Sequence, residues 1–155
     1  MSNEVYRFKL EGIKTEQFAV LEDNFNKESK IVQLASSHTF GANISERIIA
    51  VKANFKFLSE QNAFMVLEIS CMFSIEELSW EKIHPTGNED LLVVPKDLAT
   101  HLLVLTIGTA RGVLHAKTEN TKYNKFFLPT LDVSNAIEED VVINFETTEV
   151  NNDSF

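Results

Sequence analysis

Four histidines and one cysteine are the side chains of this 155-residue chain best suited to metal binding or nucleophilic catalysis. No two of the histidines (His38, His84, His101 and His115) stand three to five residues apart, as the ligands of a zinc site usually do. Cys71 lies in the apolar run EISCMFSI without an adjacent base, which predicts a small buried residue. The sequence therefore predicts neither a metal site nor a catalytic cysteine.

Carboxylate clusters and glycines are the remaining candidates for chemistry. Glu76 and Glu77, and residues 138–140, form acidic clusters, but their positions favour solvated loops over general acid–base catalysis. Gly108 and Gly112 lie within an apolar stretch, whereas a phosphate-binding glycine loop would precede a helix. Because no hydrolase or P-loop motif occurs either, we expect a protein that is not an enzyme and uses no cofactor.

Composition and charge narrow the classes of partner. A net charge of −9 and a pI near 4.9 disfavour nucleic acid and anionic lipid as binding partners. Basic polypeptides are compatible with this charge as partners, and the alternative is that the charge serves solubility alone. Twelve phenylalanines accompany two tyrosines and one tryptophan, which indicates a Phe-rich core or an apolar groove. The start MSNEVYRF contains no secretory signal and one cysteine forms no internal disulfide, so a cytoplasmic location is expected.

Alternating apolar residues predict the elements that must position any site. Residues 6–21, 31–34, 49–57 and 63–75 are predicted strands, and a polar turn joins the last two as a hairpin. Residues 76–90 are predicted to be a loop, and residues 134–145 a short turn of helix or an extended piece. The result is an α+β fold, with one domain over residues 1–140 and an acidic C-terminal tail over residues 141–155.

A long helix is predicted to begin near Pro95 and to run through the apolar stretch before Lys117. Its apolar residues cover more than one stripe, so it needs cover from its own sheet and from a second subunit; a core helix in a monomer is the alternative. The predicted interface residues are Leu98, Leu102, Leu105, Thr109 and Val113. The uncharged run over residues 102–110 is shorter than the roughly 20 residues that span a membrane, so no membrane insertion is expected.

Several short motifs, in their order along the chain, resemble the SecB family of export chaperones. They are Ile13-Lys14-Thr15, Ala63-Phe64, Phe73-Ser74-Ile75, Ala110-Arg111-Gly112, Leu128-Pro129 and Leu131-Asp132-Val133. The resemblance covers roughly residues 6–137. It implies a four-stranded antiparallel sheet with one long helix and a short C-terminal helix on one face. It also implies a homotetramer, built as a dimer of dimers, that binds unfolded or precursor polypeptides in apolar grooves without nucleotide.

Apolar residues in loop-like segments beside the long helix are the predicted groove contacts. They are Trp80, Ile83, Phe126, Phe127 and Leu128. Anchoring of these loops to the core is the alternative for each of them.

The first strand departs from the resemblance. SecB proteins present acidic residues there to the SecA motor, and the matching positions are Gln17 and Leu21. Glu16, Glu22 and Asp23 are the nearby docking candidates, but they are out of register and make SecA a questionable partner. This departure favours an alternative hypothesis, a dedicated SecB-like partner chaperone of a toxin–antitoxin system. A small-ligand-binding domain is the other alternative.

Overall fold

A computed structural model of the protein describes residues 4–84 and 89–145. Four long strands form one antiparallel sheet in the order β1-β4-β3-β2. Their bounds are β1 Phe8–Val20, β2 Val32–Asn43, β3 Ile48–Ser59 and β4 Asn62–Ile75. The predicted α+β class and four-stranded antiparallel sheet are confirmed.

Side chains alternate between the two faces of β3, which is one of the two central strands of the sheet. One face of β3 is buried and consists of Ile49, Val51, Ala53, Phe55 and Phe57. Glu60 and Gln61 connect β3 to β4 with φ angles of 52° and 71°, and Ser59 pairs with Asn62 across them. Two positive φ angles are typical of a type I′ turn, whose twist matches that of the flanking strands. The predicted hairpin is therefore present.

Two bulges shape β1, which lies at one edge of the sheet. The register against β4 shifts between Leu10 and Gly12, and again between Thr15 and Gln17. Each shift inserts one glutamate, Glu11 or Glu16, without a partner in the ladder. Both carboxylates therefore reach serine hydroxyls of β4: Glu11 accepts from Ser74 and Glu16 accepts from Ser70, each over 2.9 Å.

A short helix, α1 (Glu77–Ile83), occupies part of the segment that we predicted to be a loop. The side chain of Glu76 caps its first turn by accepting a hydrogen bond from the backbone N–H of Ser79. Trp80 and Ile83, three residues apart on one face, are both buried. The second helix of the fold therefore precedes the long helix, instead of following it.

The long helix α2 comprises Lys96–Thr118 and begins directly after Pro95, as predicted. It follows a short strand, β5 (Leu91–Val94), and lies against β3 and β4. By length and composition alone α2 could cross a membrane. Its apolar composition has another explanation, because the residues that it buries lie in the core formed with the sheet: Leu98, Leu102, Leu103, Ile107, Ala110 and Leu114.

The C-terminal part differs from the predicted short helix. After a 3-10 turn (Lys122–Lys125) the chain runs extended to Val133 and makes a turn in which the N–H of Ala136 donates to the carbonyl of Val133. Strand β6 (Val141–Asn144) then pairs with β5, as expected for the β-branched run Val141-Val142-Ile143. The predicted boundary at residue 140 thus falls just before a strand of the fold, and residues 146–155 of the predicted tail lie outside the described residues.

Candidate functional site

Three of the five predicted groove residues belong to the core. Trp80 and Ile83 are buried beneath α1, and the side chain of Leu128 is buried where the extended C-terminal segment passes α2. These side chains cannot contact a bound polypeptide while the protomer keeps this conformation. The sequence alone does not distinguish a residue that anchors a loop to the core from one that binds a polypeptide, because an apolar residue in an irregular segment can serve either purpose.

Phe126 and Phe127 point in different directions. Phe127 is 58% exposed, whereas Phe126 is partly buried among aromatic rings. Its ring centroid lies 5.2 Å from that of Phe64 and 5.7 Å from that of Phe25. The ammonium of Lys125 lies 5.7 Å and 5.4 Å from the centroids of Phe25 and Phe126. Phe126 therefore stabilises this end of the protomer, and Phe127 is available for contact.

The predicted interface residues divide into two sets. Leu98 and Leu102 are buried in the protomer core, while Leu105 is 40% exposed and Thr109 and Val113 are half-buried. Val104, which is not among the predicted interface residues, is 45% exposed beside Leu105. On the same helix a Cβ added to Gly108 or Gly112 would meet no atom within 4 Å. The outer face of α2 therefore exposes Val104 and Leu105, and at both glycines it carries no side chain.

Strand β1 extends this apolar surface. Leu10 and Ile13 are 47% and 51% exposed, although they pair with Phe73 and Cys71, which are buried beneath the helix layer. The thiol of Cys71 contacts the hydroxyls of Thr106 and Thr109 on α2, and burial raises its pKa. Leu10 and Ile13 thus lie on the helix side of the sheet, at an edge that α2 covers only in part. We call Leu10, Ile13, Val104 and Leu105 the apolar edge surface.

The outer face of the sheet carries charges that are already paired. Lys14 lies 3.2 Å from Glu16, and Lys52 lies 3.7 Å from Glu68. Desolvation raises the pKa of Glu16, but the Ser70 hydroxyl and the Lys14 ammonium outweigh it and hold that pKa below its usual range. Of the three docking candidates, Glu16 is therefore engaged within the sheet. The exposed Glu22 and Asp23 lie apart from it, in the 3-10 turn (Glu22–Asn24) that follows β1.

A groove of about 870 Å³ lies where the end of β2 meets β6. We call it the edge groove. Its apolar walls come from Phe40, Ala42 and Ile44 on one side and from Ile143 and Phe145 on the other. Strand β2 is the last strand of the four-stranded sheet, with β3 as its ladder partner. The groove is thus open, apolar and adjacent to a sheet edge, which is the environment that an extended polypeptide can occupy.

Within residues 4–84 and 89–145, no group of three or more histidine, cysteine or acidic side chains could hold a metal ion. The four histidines are dispersed: His38 lies on β2, His84 follows α1, and His101 and His115 lie near opposite ends of α2. The described side chains offer apolar contact surfaces more clearly than any reactive centre.

Comparison with known proteins supports a SecB-like fold. No protein-family model and no curated protein matches the sequence. Among solved structures, the chain is similar to the SecB-like chaperone Rv1957 of Mycobacterium tuberculosis, in complex with a ChAD peptide from the antitoxin Rv1956 HigA1. That similarity has a TM-score of 0.54 and 13% identity, and covers 81% of this chain and 91% of the other. A protein of unknown function from Streptococcus agalactiae aligns with a TM-score of 0.44 and 12% identity, over 83% of this chain and all of the other. At 13% identity the similarity to Rv1957 concerns the fold alone, and the fold of this chain is SecB-like.

Proposed function

We infer that this chain is an ATP-independent chaperone that holds unfolded or precursor polypeptides in apolar grooves. The observation that carries this proposal is the edge groove, an open apolar channel beside an edge strand on a SecB-like fold. Apolar side chains give contact that tolerates different sequences, because the hydrophobic effect has no directional requirement. The exposed Phe127 adds a further apolar contact at the other end of the extended C-terminal segment.

The net charge of −9 supports a preference for basic polypeptides. Two acidic residues line the edge groove, and because Glu16 is paired with Lys14, Glu46 is the one better placed to meet such a client. A cytoplasmic location and a role in protein export are part of this proposal. Docking to SecA would have to use Glu22 and Asp23, since Glu16 is hydrogen-bonded within the sheet.

Self-association accounts for the apolar edge surface. Four large apolar side chains exposed on one edge are unfavourable in an isolated protomer, and a second copy would bury them. We propose a homotetramer assembled as a dimer of dimers, with Val104 and Leu105 of α2 in one of its interfaces. Leu98 and Leu102, which are buried in the protomer, support that helix from within.

The function can be tested by adding the purified protein to an aggregating, chemically unfolded client and recording light scattering. We expect suppression of aggregation without nucleotide and no binding to the native client. Ile143→Asp, which places a charge in the edge groove, should abolish suppression. Val142→Asp is the matched control, because Val142 is the neighbouring residue of β6, exposed and outside that groove. Equal activity of the two variants would exclude the edge groove as the client site.

A dedicated partner chaperone is the second candidate. The observation that favours it is that the structural neighbour Rv1957 is bound to a peptide of an antitoxin. In that case this chain would recognise one short segment of a single partner, and many unrelated unfolded proteins would bind weakly. An array of overlapping peptides from unrelated proteins separates the two candidates: scattered binding to many apolar segments supports a general holdase, and binding to none of them supports the dedicated partner.

A further inference from the structure

A furrow crosses the outer face of the four-stranded sheet at right angles to its strands. Its floor is one row of residues that pair directly across neighbouring strands: Gly41, Ala50, Met72 and Gly12. Three of these four residues have no side chain or only a methyl group. The flanking rows carry larger side chains, which are Thr39, Lys52, Ser70 and Lys14 on one side and Asn43, Ile48, Ser74 and Lys9 on the other. We call the row of small residues the outer furrow. It lies on the face opposite to the helix layer, because Ala50 alternates with the buried Ile49 and Val51.

Met72 shapes the floor of the outer furrow. A Cβ atom added to Gly12 would lie only 2.9 Å from the terminal methyl carbon of Met72, so the end of this side chain lies directly over Gly12. Towards β2 the furrow opens into the edge groove, whose lining includes Gly41, Ala50 and Met72. The furrow and the edge groove are therefore one continuous depression, which runs from the edge strand across the sheet.

Strand β6 brings the chain to the mouth of this depression. Phe145 directly follows β6 and lines the edge groove. Its backbone N–H donates a hydrogen bond of 2.8 Å to the carbonyl oxygen of Asp90, which fixes the direction in which the chain leaves β6. Residues 146–155 follow with the sequence ETTEVNNDSF and lie outside the described residues. They are thus attached at the point where the outer furrow opens.

The dimensions of the sheet match the length of this segment. Strands β2 and β1 are three strand spacings of about 4.8 Å apart, which is about 14 Å in all. Five extended residues after Phe145 span about 16 Å at roughly 3.3 Å per residue. The fifth is Val150, which carries the only aliphatic side chain of residues 146–155. An extended chain along the furrow therefore brings Val150 to Met72 and Gly12, the apolar end of the floor.

We propose that residues 146–150 of this chain occupy the outer furrow and cover the edge groove until a client displaces them. This rests on the proposed function, since it names what regulates access to the client site. Charge contributes little, because Lys14 is paired with Glu16 over 3.2 Å and Glu46 also lines the groove. Attachment to β6 and burial of Val150 hold the segment instead. A segment tethered this closely competes at an effective concentration on the order of millimolar, which exceeds that of a typical client.

The methyl NMR signal of Met72 in the full chain reports occupancy of the furrow without any client. The chain contains three methionines, so this signal is readily assigned. Val150→Asp should release the segment and shift the Met72 signal, because a carboxylate is not buried against a methyl group. Asn152→Asp is the matched control, since it adds the same charge beyond the span of the furrow, and it should leave the signal in place. An unshifted Met72 signal in Val150→Asp, or equal shifts in both variants, would overturn the proposal.

Client affinity tests the regulatory role, with a stably unfolded, fluorescently labelled polypeptide as the probe. Val150→Asp should raise the affinity about threefold to tenfold, the factor expected when the groove is free only a minor part of the time. Gly12→Val fills the furrow from below by displacing the end of Met72, and its backbone is not in the left-handed region, so the strand tolerates the change. It should raise the affinity to the same extent, and the double variant should gain nothing further. Additive effects, or no effect of either variant on a client that binds, would contradict the regulatory role.

The two readouts separate this inference from the proposed function. If Val150→Asp shifts the Met72 signal but neither the wild type nor any variant holds a client, the furrow site stands and the proposed function fails. If clients are held and the Met72 signal does not respond to Val150→Asp, only the furrow site fails.

Discussion

The guanidinium of Arg111 donates a hydrogen bond of 2.9 Å to the carbonyl oxygen of Pro129, and a second of 2.9 Å to that of Leu128. Two separate motifs of the SecB resemblance therefore contact each other directly. The extended C-terminal segment is held again further along, where the carboxylate of Asp140 accepts from the backbone N–H of Lys96 at the start of α2, over 2.8 Å. Helix α2 thus holds the segment that follows it at two separate places.

Arg111→Gln should lower the free energy of unfolding by about 1–3 kcal/mol, because two charge-assisted hydrogen bonds to carbonyls are lost. Urea unfolding followed by circular dichroism measures the change. Arg111→Lys is the matched control, since it keeps the charge but cannot reach both carbonyls, and it should recover only part of the loss. A glutamine variant as stable as the wild type would mean that the segment is held by apolar packing alone.

Val104→Asp and Leu105→Asp should reduce the mass of the assembly measured by light scattering coupled to size exclusion. Each replaces an exposed apolar side chain on the outer face of α2 by a charge, which an interface would desolvate at a cost of several kcal/mol. The protomer fold should survive, because neither side chain is buried. Lys117→Asp, exposed near the end of the same helix, should keep the wild-type mass. An unchanged mass in both interface variants would remove α2 from the interface.

Tyr123→Phe should leave stability unchanged or raise it by up to about 2 kcal/mol. The ring of Tyr123 is buried against Phe25 and Phe64, and its hydroxyl has no hydrogen-bond partner among the described residues. Removing an unsatisfied buried hydroxyl removes a desolvation cost without losing a protein contact. Tyr6→Phe is the contrasting variant, because the Tyr6 hydroxyl donates to Glu4 over 2.6 Å. A clear loss of stability in Tyr123→Phe would reveal a hydrogen bond made by that hydroxyl.

Stability should fall as the pH is lowered from 7 through 6.5, partly because of His38. Burial lowers the pKa of His38 below its ordinary value of 6.5, so the unfolded chain binds this proton more readily than the folded chain. Urea midpoints at pH 7 and pH 5.5 should differ more for the wild type than for His38→Phe. Equal differences would mean that another group dominates in this range.

Much of the sheet could be predicted from the sequence because its strands alternate with a period of two. Residues 49–57 repeat apolar and polar side chains so regularly that only a half-buried strand fits, and the turn at Glu60 and Gln61 is polar. Strand β2 was harder to predict from the sequence, which indicated a strand only over residues 31–34. Ser36, Ser37 and Thr39 interrupt its apolar pattern.

The site was less predictable, because exposure depends on what lies opposite each residue. Leu102 and Leu105 are both leucines of one helix, three residues apart, but β3 and β4 cover only the first. Leu10 and Ile13 follow the pattern of core residues, but about half of each side chain remains exposed because α2 covers the edge of β1 only in part. Trp80 was assigned to a loop because the cap at Glu76 gives a weak signal in a segment of only seven helical residues.

The order β1-β4-β3-β2 also bears on how the chain is made. Strand β1 is synthesised first, but its ladder partner is β4, whose residues Asn62–Ile75 emerge only after β2 and β3. Pairings between distant segments form slowly, because the intervening chain must first be closed into a loop. The nascent chain therefore carries Leu10, Ile13 and Phe18 unpaired until β2, β3 and β4 have been translated. During its own synthesis this protein therefore exposes the kind of unpaired apolar segment that it is proposed to bind in other chains.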